Sequence, residues 1–373
     1  MTRLVLVSLG SLAGDILEMV ARAGVVDEIV VASRNAEYGR KKVNSARVGA
    51  GILGRFPAIR FESFDFNAVS AGEVLARLEP DLVISAPSLM PWWAVAALEG
   101  RAAEAARAMT FAGWIACHIA PMLAFRAAWA SSRLACPWVN ASYPDVTNAV
   151  LARTGAAPLC GVGNVEEIVP KARLAAAMAV GGHAADIEAR IVVPHAAEYM
   201  VYAEDETRDP PPVLVHAIWH GPGGGRDVSA EARAGLFAPM PIPYRMDFNL
   251  LTASAATKLI PALLGTTPTL CHVPGPMGMV GGYPVRAGNG TVALDLAPGW
   301  TVEGARRVNE DALTHDGIAG VGPDGTVAFT DATRAGLKRL IGRDVAALAP
   351  HDAPRLATEL LAAVDARPAK RPG

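Results

Sequence analysis

A short glycine-containing segment near the N-terminus, SLGSLAG (8–14), stands where an apolar run changes into a helical pattern. In a G-x-G-x-x-G loop the first glycine permits a tight turn, the second lets the backbone approach a pyrophosphate, and the third lets helix and strand pack closely. Ser8, Gly10 and Ala13 hold these positions. The segment predicts a dinucleotide-binding loop, although a plain turn between strand and helix has the same pattern. The residues expected to contact the dinucleotide are Gly10, Ser11, Leu12 and Ala13.

A second segment, SRN (33–35), ends the next apolar run, about 20 residues beyond the loop. An acidic residue there would accept the ribose hydroxyls of NAD, and its charge would repel the 2′-phosphate of NADP. Ser33 and Arg34 offer instead a hydroxyl and a guanidinium, which bind phosphate, and a basic run follows at 40–42. NADP is therefore favoured over NAD, with Ser33, Arg34 and Asn35 as contacts. The alternative is that these charges form a solvated loop and helix start.

Apolar, β-branched runs alternate with helical patterns through the first part of the chain. The runs are RLVLVSL (3–9), DEIVVAS (27–33), RFESFDF (60–66) and DLVISAPS (81–88). Strands separated by helices in this way build a parallel sheet with right-handed crossovers, and ligands bind beyond the carboxyl ends of its strands. We therefore expect the loops at Gly10, at Ser33 and at Ala86 and Pro87 to line the crevice.

The length of 373 residues and a change of pattern near residue 157 predict two domains. Residues 1–157 are expected to form a dinucleotide-binding domain of Rossmann type. Residues 158–373 mix strands such as ARIVVPH (189–195) with helices such as FNLLTASAATKLIPALLG (248–265), so an α+β substrate domain is expected. The fold class is α/β, and the tail from about residue 365 is expected to be flexible.

Composition narrows the range of partners to a small molecule. A net charge of −2 without a basic block argues against a nucleic-acid surface. The most apolar long stretch, 113–130, is interrupted by His118, Pro121 and Arg126, and falls short of the roughly 20 apolar residues of a membrane span. No signal segment is recognisable, which favours a cytoplasmic location. The four cysteines lack C-x-x-C spacing, so free thiols are expected and no metal site.

Four blocks of sequence carry a resemblance to a known family. They are GVVDEIVVASRN (24–35), CPWVNASYPDVTNAVLARTG (136–155), LCGVGNVEE (159–167) and VVPHAAEYMVYA (192–203). In their order and spacing the chain resembles the lactate/malate dehydrogenase superfamily, which also contains the NAD-dependent family 4 glycosidases. The match extends over most of the chain and is that of a divergent member. It implies a dinucleotide-dependent enzyme and a homodimer.

The resemblance implies roles for three polar residues. Asn140 would lie beside the nicotinamide ribose and the reacting oxygen, His195 would be the acid/base group, and Glu167 would be its carboxylate partner, or Glu166 if the register slips by one. Hydride reduction of a carbonyl needs a proton for the developing alkoxide, which an imidazole supplies. A carboxylate on the other ring nitrogen fixes the tautomer. The alternative is that His195 is a buried structural histidine.

Departures from the family pattern affect the expected substrate. Dehydrogenases of 2-hydroxy acids carry one arginine on the loop after the fourth strand and a second arginine that binds the substrate carboxylate. Here that loop, APSLMPWWAV (86–95), contains no arginine, and the second position falls near Pro170 and Lys171. A metal-dependent glycosidase is also disfavoured, since Gly163 stands at the position of the metal-binding cysteine. Trp92 and its neighbour would form an apolar or sugar-stacking lid, although two tryptophans that start a helix are also ordinary packing residues. Substrate contacts are expected at Trp92, Asn249, Thr252 and Ser254.

These patterns predict an NADP-dependent oxidoreductase that transfers a hydride between nicotinamide and a hydroxyl or carbonyl substrate other than a simple 2-hydroxy acid. One alternative is an enzyme that keeps NAD(P) tightly bound and oxidises its substrate transiently, for elimination, epimerisation or cyclisation. A second alternative, from another class, is a non-catalytic protein that binds or senses the dinucleotide.

Overall fold

The computed structural model describes residues 1–202, 209–243 and 245–365. Six strands of the first part form one parallel sheet in the order β3-β2-β1-β4-β5-β6. The strands are β1 (Arg3–Val7), β2 (Glu28–Ser33), β3 (Ala58–Ser63), β4 (Leu82–Ser85), β5 (Trp138–Asn140) and β6 (Cys160–Gly161). The helices are α1 (Ser11–Ala23), α2 (Ala36–Ile52), α3 (Ala71–Arg77), α4 (Trp92–Ala96), α5 (Gly100–Met109), α6 (Ala116–Ser132) and α7 (Pro144–Thr154). The strand order reverses beside β1, which confirms the Rossmann-type sheet.

β1 occupies the centre because Leu4 to Val7 are all buried, as a parallel strand covered on both faces requires. Leu6 pairs with Val31 on one side and with Ile84 on the other. The carboxyl ends of β1, β2 and β4 therefore meet at one edge of the sheet. This is the physical basis on which their loops can share a ligand.

The second part of the chain combines helices with three antiparallel sheets, β7-β8-β9, β10-β11-β12 and β13-β14-β15. The strands are β7 (Ile187–Val192), β8 (Leu214–Gly221), β9 (Gly224–Asp227), β10 (Thr269–Pro274), β11 (Gly282–Gly288), β12 (Thr291–Leu294), β13 (Ile318–Val321), β14 (Val327–Phe329) and β15 (Ala347–Leu348). The helices are α8 (Val165–Val180), α9 (Ala196–Tyr202), α10 (Ser229–Leu236), α11 (Asn249–Leu264), α12 (Val302–Asp311), α13 (Asp331–Ile341) and α14 (Ala353–Asp365). The α+β expectation for this part is confirmed.

The two parts share a buried hydrophobic cluster. Ile16 and Leu17 of α1 belong to the same buried cluster as Ala256 and Leu263 of α11. The parallel sheet is completed only by β6, which follows the expected boundary at residue 157. The division at 157 therefore stays a prediction, and the expected tail lies largely outside the described residues.

The long apolar stretch is a buried helix. α6 carries Pro121 in its interior, and His118, Met122 and Phe125 are buried along it. In the ranges that the structure describes, no helix combines the length and apolarity needed to cross a membrane.

Candidate active site

The loop between β1 and α1 has the backbone that a phosphate-binding loop requires. Ser8 has a φ of 72°, in the left-handed region that glycine adopts most easily, and its N–H donates to the Ala32 carbonyl at 2.9 Å. Gly10 precedes α1 without a side-chain cap, and a Cβ built on it would have no heavy atom within 4 Å. The space before the first turn of α1 is open, and the unpaired amides there suit an anion.

A cavity of about 580 Å³ extends from this loop into the second part of the chain. Four of the eight described non-glycine residues with positive φ line it, namely Ser8, Thr110, Tyr143 and Asn164. Such strained backbone persists only where the surrounding structure enforces it, and it is concentrated at functional sites. This concentration of strained backbone supports the choice of the cavity as the candidate functional site.

Helix α4 covers the cavity between the loop and α11. The indole N–H of Trp93 donates to Ser11 Oγ at 3.3 Å, and that of Trp92 donates to Asn249 Oδ1 at 3.2 Å. Trp92 and Asn249 line the cavity, as does Thr252. These three expected substrate contacts therefore lie together.

Ser254, the fourth expected substrate contact, does not line the cavity. It follows Thr252 by two residues, which is about 200° around a helix. Its hydroxyl donates to the Leu250 carbonyl at 2.7 Å and lies 3.8 Å from the sulfur of Met19 on α1. Ser254 thus faces another helix, and its expected role in substrate binding is corrected.

The His195 side chain reaches the cavity from the turn after β7 and is tightly held. Its Nδ1 lies 2.9 Å from Asp316 Oδ1, to which the hydroxyl of Tyr199 also donates at 3.3 Å. The imidazole packs against the rings of Tyr143 and Phe111, with centroids 4.6 and 4.8 Å away. Because Nδ1 is bound to the carboxylate, Nε2 is the ring nitrogen left for substrate.

The environment of His195 favours its protonated form. Burial lowers the pKa of the imidazole, but the neighbouring carboxylates, Asp316 before Asp145 and Glu198, outweigh burial and raise the pKa to about 9. At neutral pH the side chain is therefore an imidazolium paired with a carboxylate. It is poised to donate a proton.

The carboxylate partner of His195 is Asp316, and neither Glu167 nor Glu166 as expected from the sequence. The two glutamates lie in the first turn of α8 and project about 100° apart. Glu166 turns toward β10, where its Oε2 accepts from the backbone N–H of His272 at 2.8 Å. Glu167 turns into the cavity but does not bond His195. Asp316, 121 residues after the histidine, occupies the position beside Nδ1.

Three carboxylates line the deep part of the cavity: Asp145, Glu167 and Glu198. Burial raises the pKa of Glu167 well above its ordinary range, and the charge of Glu198 raises it further. Burial also raises the pKa of Glu198 to about 7 and that of Asp145 to about 6. We call these three residues the acidic wall.

Some carboxylate oxygens of the acidic wall lack a well-aligned hydrogen-bond partner among the described residues. Asn164 donates to Asp145 Oδ1 at 2.6 Å, but in the described chain no well-formed hydrogen bond reaches Oδ2. Glu198 and Thr252 are close to Glu167, yet neither of its carboxylate oxygens has a well-aligned partner among the described residues. Over the same ranges, no three or more His, Cys, Asp or Glu side chains are arranged to hold a metal ion.

Asn140 is fully buried at the end of β5 and does not line the cavity. Its Nδ2 donates to Asn148 Oδ1 at 2.9 Å and to the Ser142 carbonyl at 3.2 Å, while its Oδ1 accepts from the Ser142 N–H at 2.7 Å. The amide therefore stabilises the turn from β5 to α7. The expected contact of Asn140 with dinucleotide and substrate is corrected, and Tyr143 and Asp145 of the same turn face the cavity instead.

The loop after β4 divides between the cavity and the core. Ala86 lines the cavity, and its N–H donates to the Val7 carbonyl at 3.0 Å. Pro87 is buried and its carbonyl accepts from Ser142 Oγ at 2.7 Å. Of these two expected dinucleotide contacts, Ala86 reaches the cavity and Pro87 does not.

Ser33, Arg34 and Asn35 lie beside the loop between β1 and α1 but outside the cavity lining. Asn35 accepts from the Tyr38 N–H at 3.0 Å through its side chain, so that side chain caps α2. Arg34 is exposed and forms no ion pair with any residue that the structure describes, although the carboxylate of Asp65 lies near enough to interact with its charge. The guanidinium is available to an anion that extends from the loop.

The basic run on α2 is largely neutralised. Lys41 pairs with Glu37 at 2.6 Å, and Lys42 lies 3.5 Å from Glu18. Only Arg40 of the run lacks an ion pair within the described ranges. The run therefore adds less positive charge beside Arg34 than its sequence indicates.

Sequence reasoning missed Asp145, Glu198 and Asp316. Glu198 follows His195 by three residues, one helical turn, so this spacing could have identified it. Asp145 follows a proline and an apolar strand, where an acidic residue is typical of an ordinary helix start. Asp316 stands before Gly317 in a short turn and carried no signal.

Comparisons with known proteins were made for sequence and for structure. No protein-family model matches the chain, and no curated protein sequence matches it significantly. Solved structures do resemble it over most of their length. They include lactate dehydrogenase from Cryptosporidium parvum complexed with lactic acid and NAD (14% identity, 84% of this chain, 95% of that chain, TM-score 0.54), malate dehydrogenase from Plasmodium falciparum (11%, 85%, 96%, 0.55), and lactate dehydrogenase from Eimeria maxima with NADH and oxamate (11%, 84%, 91%, 0.53). The chain therefore has the fold of the lactate and malate dehydrogenases, which confirms the resemblance at the level of fold.

Proposed function

We propose that this protein is an NADP-dependent oxidoreductase that acts on a hydroxyl or carbonyl group. The observation that carries the proposal is that one cavity joins the open loop at Gly10 to the His195–Asp316 pair. An anion-binding loop and an acid/base pair in a single cavity are the two parts that hydride transfer to a carbonyl requires. Two of the dehydrogenases that share the fold, those from Cryptosporidium parvum and Eimeria maxima, have NAD or NADH bound, which supports the same class of cofactor here.

The residues present fit a nicotinamide dinucleotide. The backbone from Gly10 to Ala13 would hold its pyrophosphate, because the loop leaves open space in front of the helix N-terminus. Ala86 and the indole of Trp93 border the same part of the cavity. When bound, the nicotinamide supplies or accepts the hydride.

His195 would move the proton. In the direction of carbonyl reduction, its Nε2–H donates to the substrate oxygen as that oxygen gains negative charge. Asp316 holds the ring through Nδ1 and stabilises the imidazolium before the transfer. In the direction of alcohol oxidation the neutral imidazole accepts the hydroxyl proton, so a pKa of about 9 favours reduction at neutral pH.

NADP is favoured over NAD by Arg34. Its guanidinium is exposed next to the end of β2, and no described residue neutralises it by an ion pair. A guanidinium binds a phosphate through two parallel hydrogen bonds. The neutralised lysines on α2 restrict this role to Arg34 and Arg40.

The substrate is proposed to differ from a simple 2-hydroxy acid. Lys171, near the position of the arginine that binds the carboxylate in the family, donates to the carbonyls of Val201 and Ala238 at 2.6 Å each. Arg107 lines the cavity but is exposed, whereas the buried lining is acidic. A substrate carboxylate placed beside His195 would meet like charge.

The test measures the oxidation of NADPH in the presence of a panel of aldehydes and ketones. The reaction is monitored by the absorbance of the reduced nicotinamide. We expect turnover with some member of the panel and a loss of about 10²–10⁴-fold in kcat for His195→Gln. The matched control is His220→Gln, because His220 is exposed on β8 and lies outside the cavity lining. Equal rates for wild type and His195→Gln would reject the assignment of the acid/base group.

A further inference from the structure

The acidic wall has a composition unlike the rest of the cavity. We propose that Glu167 and Glu198 form a subsite for a protonated amine, so that the substrate carries an ammonium group near its reacting hydroxyl or carbonyl. This inference rests on the proposed function, since it names the substrate class of the same site.

Glu167 and Glu198 reach the same space from two helices. Glu167 extends from the first turn of α8 and is only 6% exposed. Glu198 lies on α9, one turn after His195, whose carbonyl accepts from the Glu198 N–H at 3.0 Å. Both side chains line the cavity beside the imidazole. A ligand held by them would therefore extend to His195.

A second observation comes from α7. Asp145 is 1% exposed and lines the cavity, and its Oδ2 has no hydrogen-bond partner among the described residues. Buried polar atoms are nearly always hydrogen-bonded, so such an atom that faces a cavity indicates a missing donor. With the two oxygens of Glu167, three buried carboxylate oxygens lack a well-formed bond within the described chain.

When Glu167 and Glu198 are ionised, the charges of the deep lining do not balance. The imidazolium of His195 is paired with Asp316, which lies behind it. His118 adds no positive charge at neutral pH, because burial first and the charge of His195 second lower its pKa to about 4. Arg107 is exposed, so in the described lining His195, already paired with Asp316, is the one largely buried cation that faces the three carboxylates of the acidic wall.

An ammonium group matches the charge and the hydrogen-bonding needs of these carboxylates better than other small groups do. An ionised carboxylate only accepts hydrogen bonds, and an ammonium donates three and carries the opposite charge. Buried charge is stable only when it is paired and hydrogen-bonded. A polyol would donate hydrogen bonds but leave the charge uncompensated, and a carboxylate would be repelled.

The test uses three compounds that share the CH₃–CHOH group and differ only in what is attached to it: 1-amino-2-propanol, 1,2-propanediol and lactate. Their binding to the wild-type protein is measured by calorimetry, with and without NADP, in two buffers of different ionisation enthalpy. We expect the amine to bind at least about tenfold more tightly than the others. We also expect proton release, because the ammonium favours the ionised forms of Glu167 and Glu198. Equal binding of the diol, tighter binding of lactate, or no proton release would overturn the proposal.

Variants locate the subsite. Glu167→Gln and Glu198→Gln should each weaken amine binding by about tenfold or more, and change diol binding little. Glu166→Gln is the matched control, since Glu166 is adjacent in sequence but bonds Lys258 and the His272 backbone outside the cavity. Thermal melting verifies that every variant is folded. If Glu166→Gln weakens amine binding as much as the other two variants do, the assignment of the subsite to Glu167 and Glu198 is rejected.

The same samples separate this inference from the proposed function. If NADPH binds and is oxidised but the amine shows no preference, only the amine subsite fails. If NADPH does not bind while the amine binds with proton release, the subsite stands and the oxidoreductase proposal fails.

Discussion

The two ends of the cavity differ in how they are built and in the charge that they accept. The end at Gly10 is formed by consecutive backbone groups at the start of α1, with open space before them. The end at His195 is formed by side chains from four separate places, Asp145, Glu167, Glu198 and Asp316, all anionic when ionised. One end suits an anion and the other a cation.

This difference separates what a local pattern can encode from what packing must assemble. Backbone amides at a helix N-terminus bind an anion whatever the neighbouring side chains are, so a few residues suffice for the loop. A buried carboxylate needs a partner in a fixed position, which distant elements must supply.

Asp316→Asn tests the deep end most severely. The amide keeps the shape but loses the charge that raises the pKa of His195, so the imidazole becomes neutral at a lower pH. We expect kcat for carbonyl reduction to fall by about 10²–10⁴-fold. The rate should also decline from a lower pH than in the wild type, which a merely structural role would not produce. Asp311→Asn, at the exposed end of α12, is the control and should retain activity.

Gly10→Ala tests the loop end. A Cβ at this position meets no protein atom within 4 Å, so the fold should be retained while the methyl group enters the space proposed for the pyrophosphate. We expect the affinity for NADP to fall by about 10–100-fold, measured by calorimetry, with little change in melting temperature. Gly320→Ala on β13 is the matched control, because its Cβ also meets nothing within 4 Å. Unchanged affinity in Gly10→Ala would place the dinucleotide elsewhere.

The pH dependence of the rates follows from the pair at the deep end. His195 has a pKa raised to about 9, so carbonyl reduction should decline above that pH, by about tenfold per unit. Alcohol oxidation, which requires the neutral imidazole, should rise with pH up to the same value. Measuring the rates of reduction and oxidation between about pH 6 and about pH 10 checks this prediction. A reduction rate that falls near pH 6.5 would show an unperturbed histidine.

The same pair contributes to stability with a definite sign. Because the folded-state pKa exceeds the ordinary value of 6.5, its contribution is fully present below about pH 6.5 and is lost as the pH rises through about 9. The difference in free energy of unfolding between the wild type and His195→Gln should decrease across this pH range. A constant difference in denaturant titrations at several pH values would contradict the raised pKa.

Arg34→Ala should produce the smallest of these effects. Loss of an exposed guanidinium should lower the affinity for NADP by roughly tenfold and leave the affinity for NAD nearly unchanged. The reason is that charge-assisted hydrogen bonds to phosphate are worth about 1.5–3 kcal/mol. Separate measurements of the affinity for each dinucleotide check this, with Arg77→Ala, exposed on α3, as control. Equal losses for NAD and NADP would remove the 2′-phosphate assignment.

Much of the first part of the fold was predictable from sequence. Alternating apolar runs and helical patterns predicted the parallel sheet, because burial on both faces demands such runs. The turn at Ser8 was predicted despite the missing glycine, and its φ of 72° shows that the serine adopts the conformation a glycine would. His195, Glu167, Trp92 and Thr252, all predicted site residues, line the same cavity, and their roles stay predictions.

Side-chain direction was less predictable than position along the chain. Asn140 ends β5 as expected, yet its amide is used by the turn that follows it. Glu166 and Glu167 differ by one residue, and the start of α8 decides which one faces the cavity. Ser254 fails in the same way, since two residues along a helix reverse the direction of a side chain.

The sequence by itself determined the parallel sheet, the position of the loop between β1 and α1 and the presence of a histidine after β7. These features depend on short-range patterns of burial and backbone freedom. The tertiary structure alone decided that Asp316 partners His195, across 121 residues, and that Asp145, Glu167 and Glu198 share one wall. Pairing of buried charges depends on distances between elements, and no spacing along the chain encodes those distances.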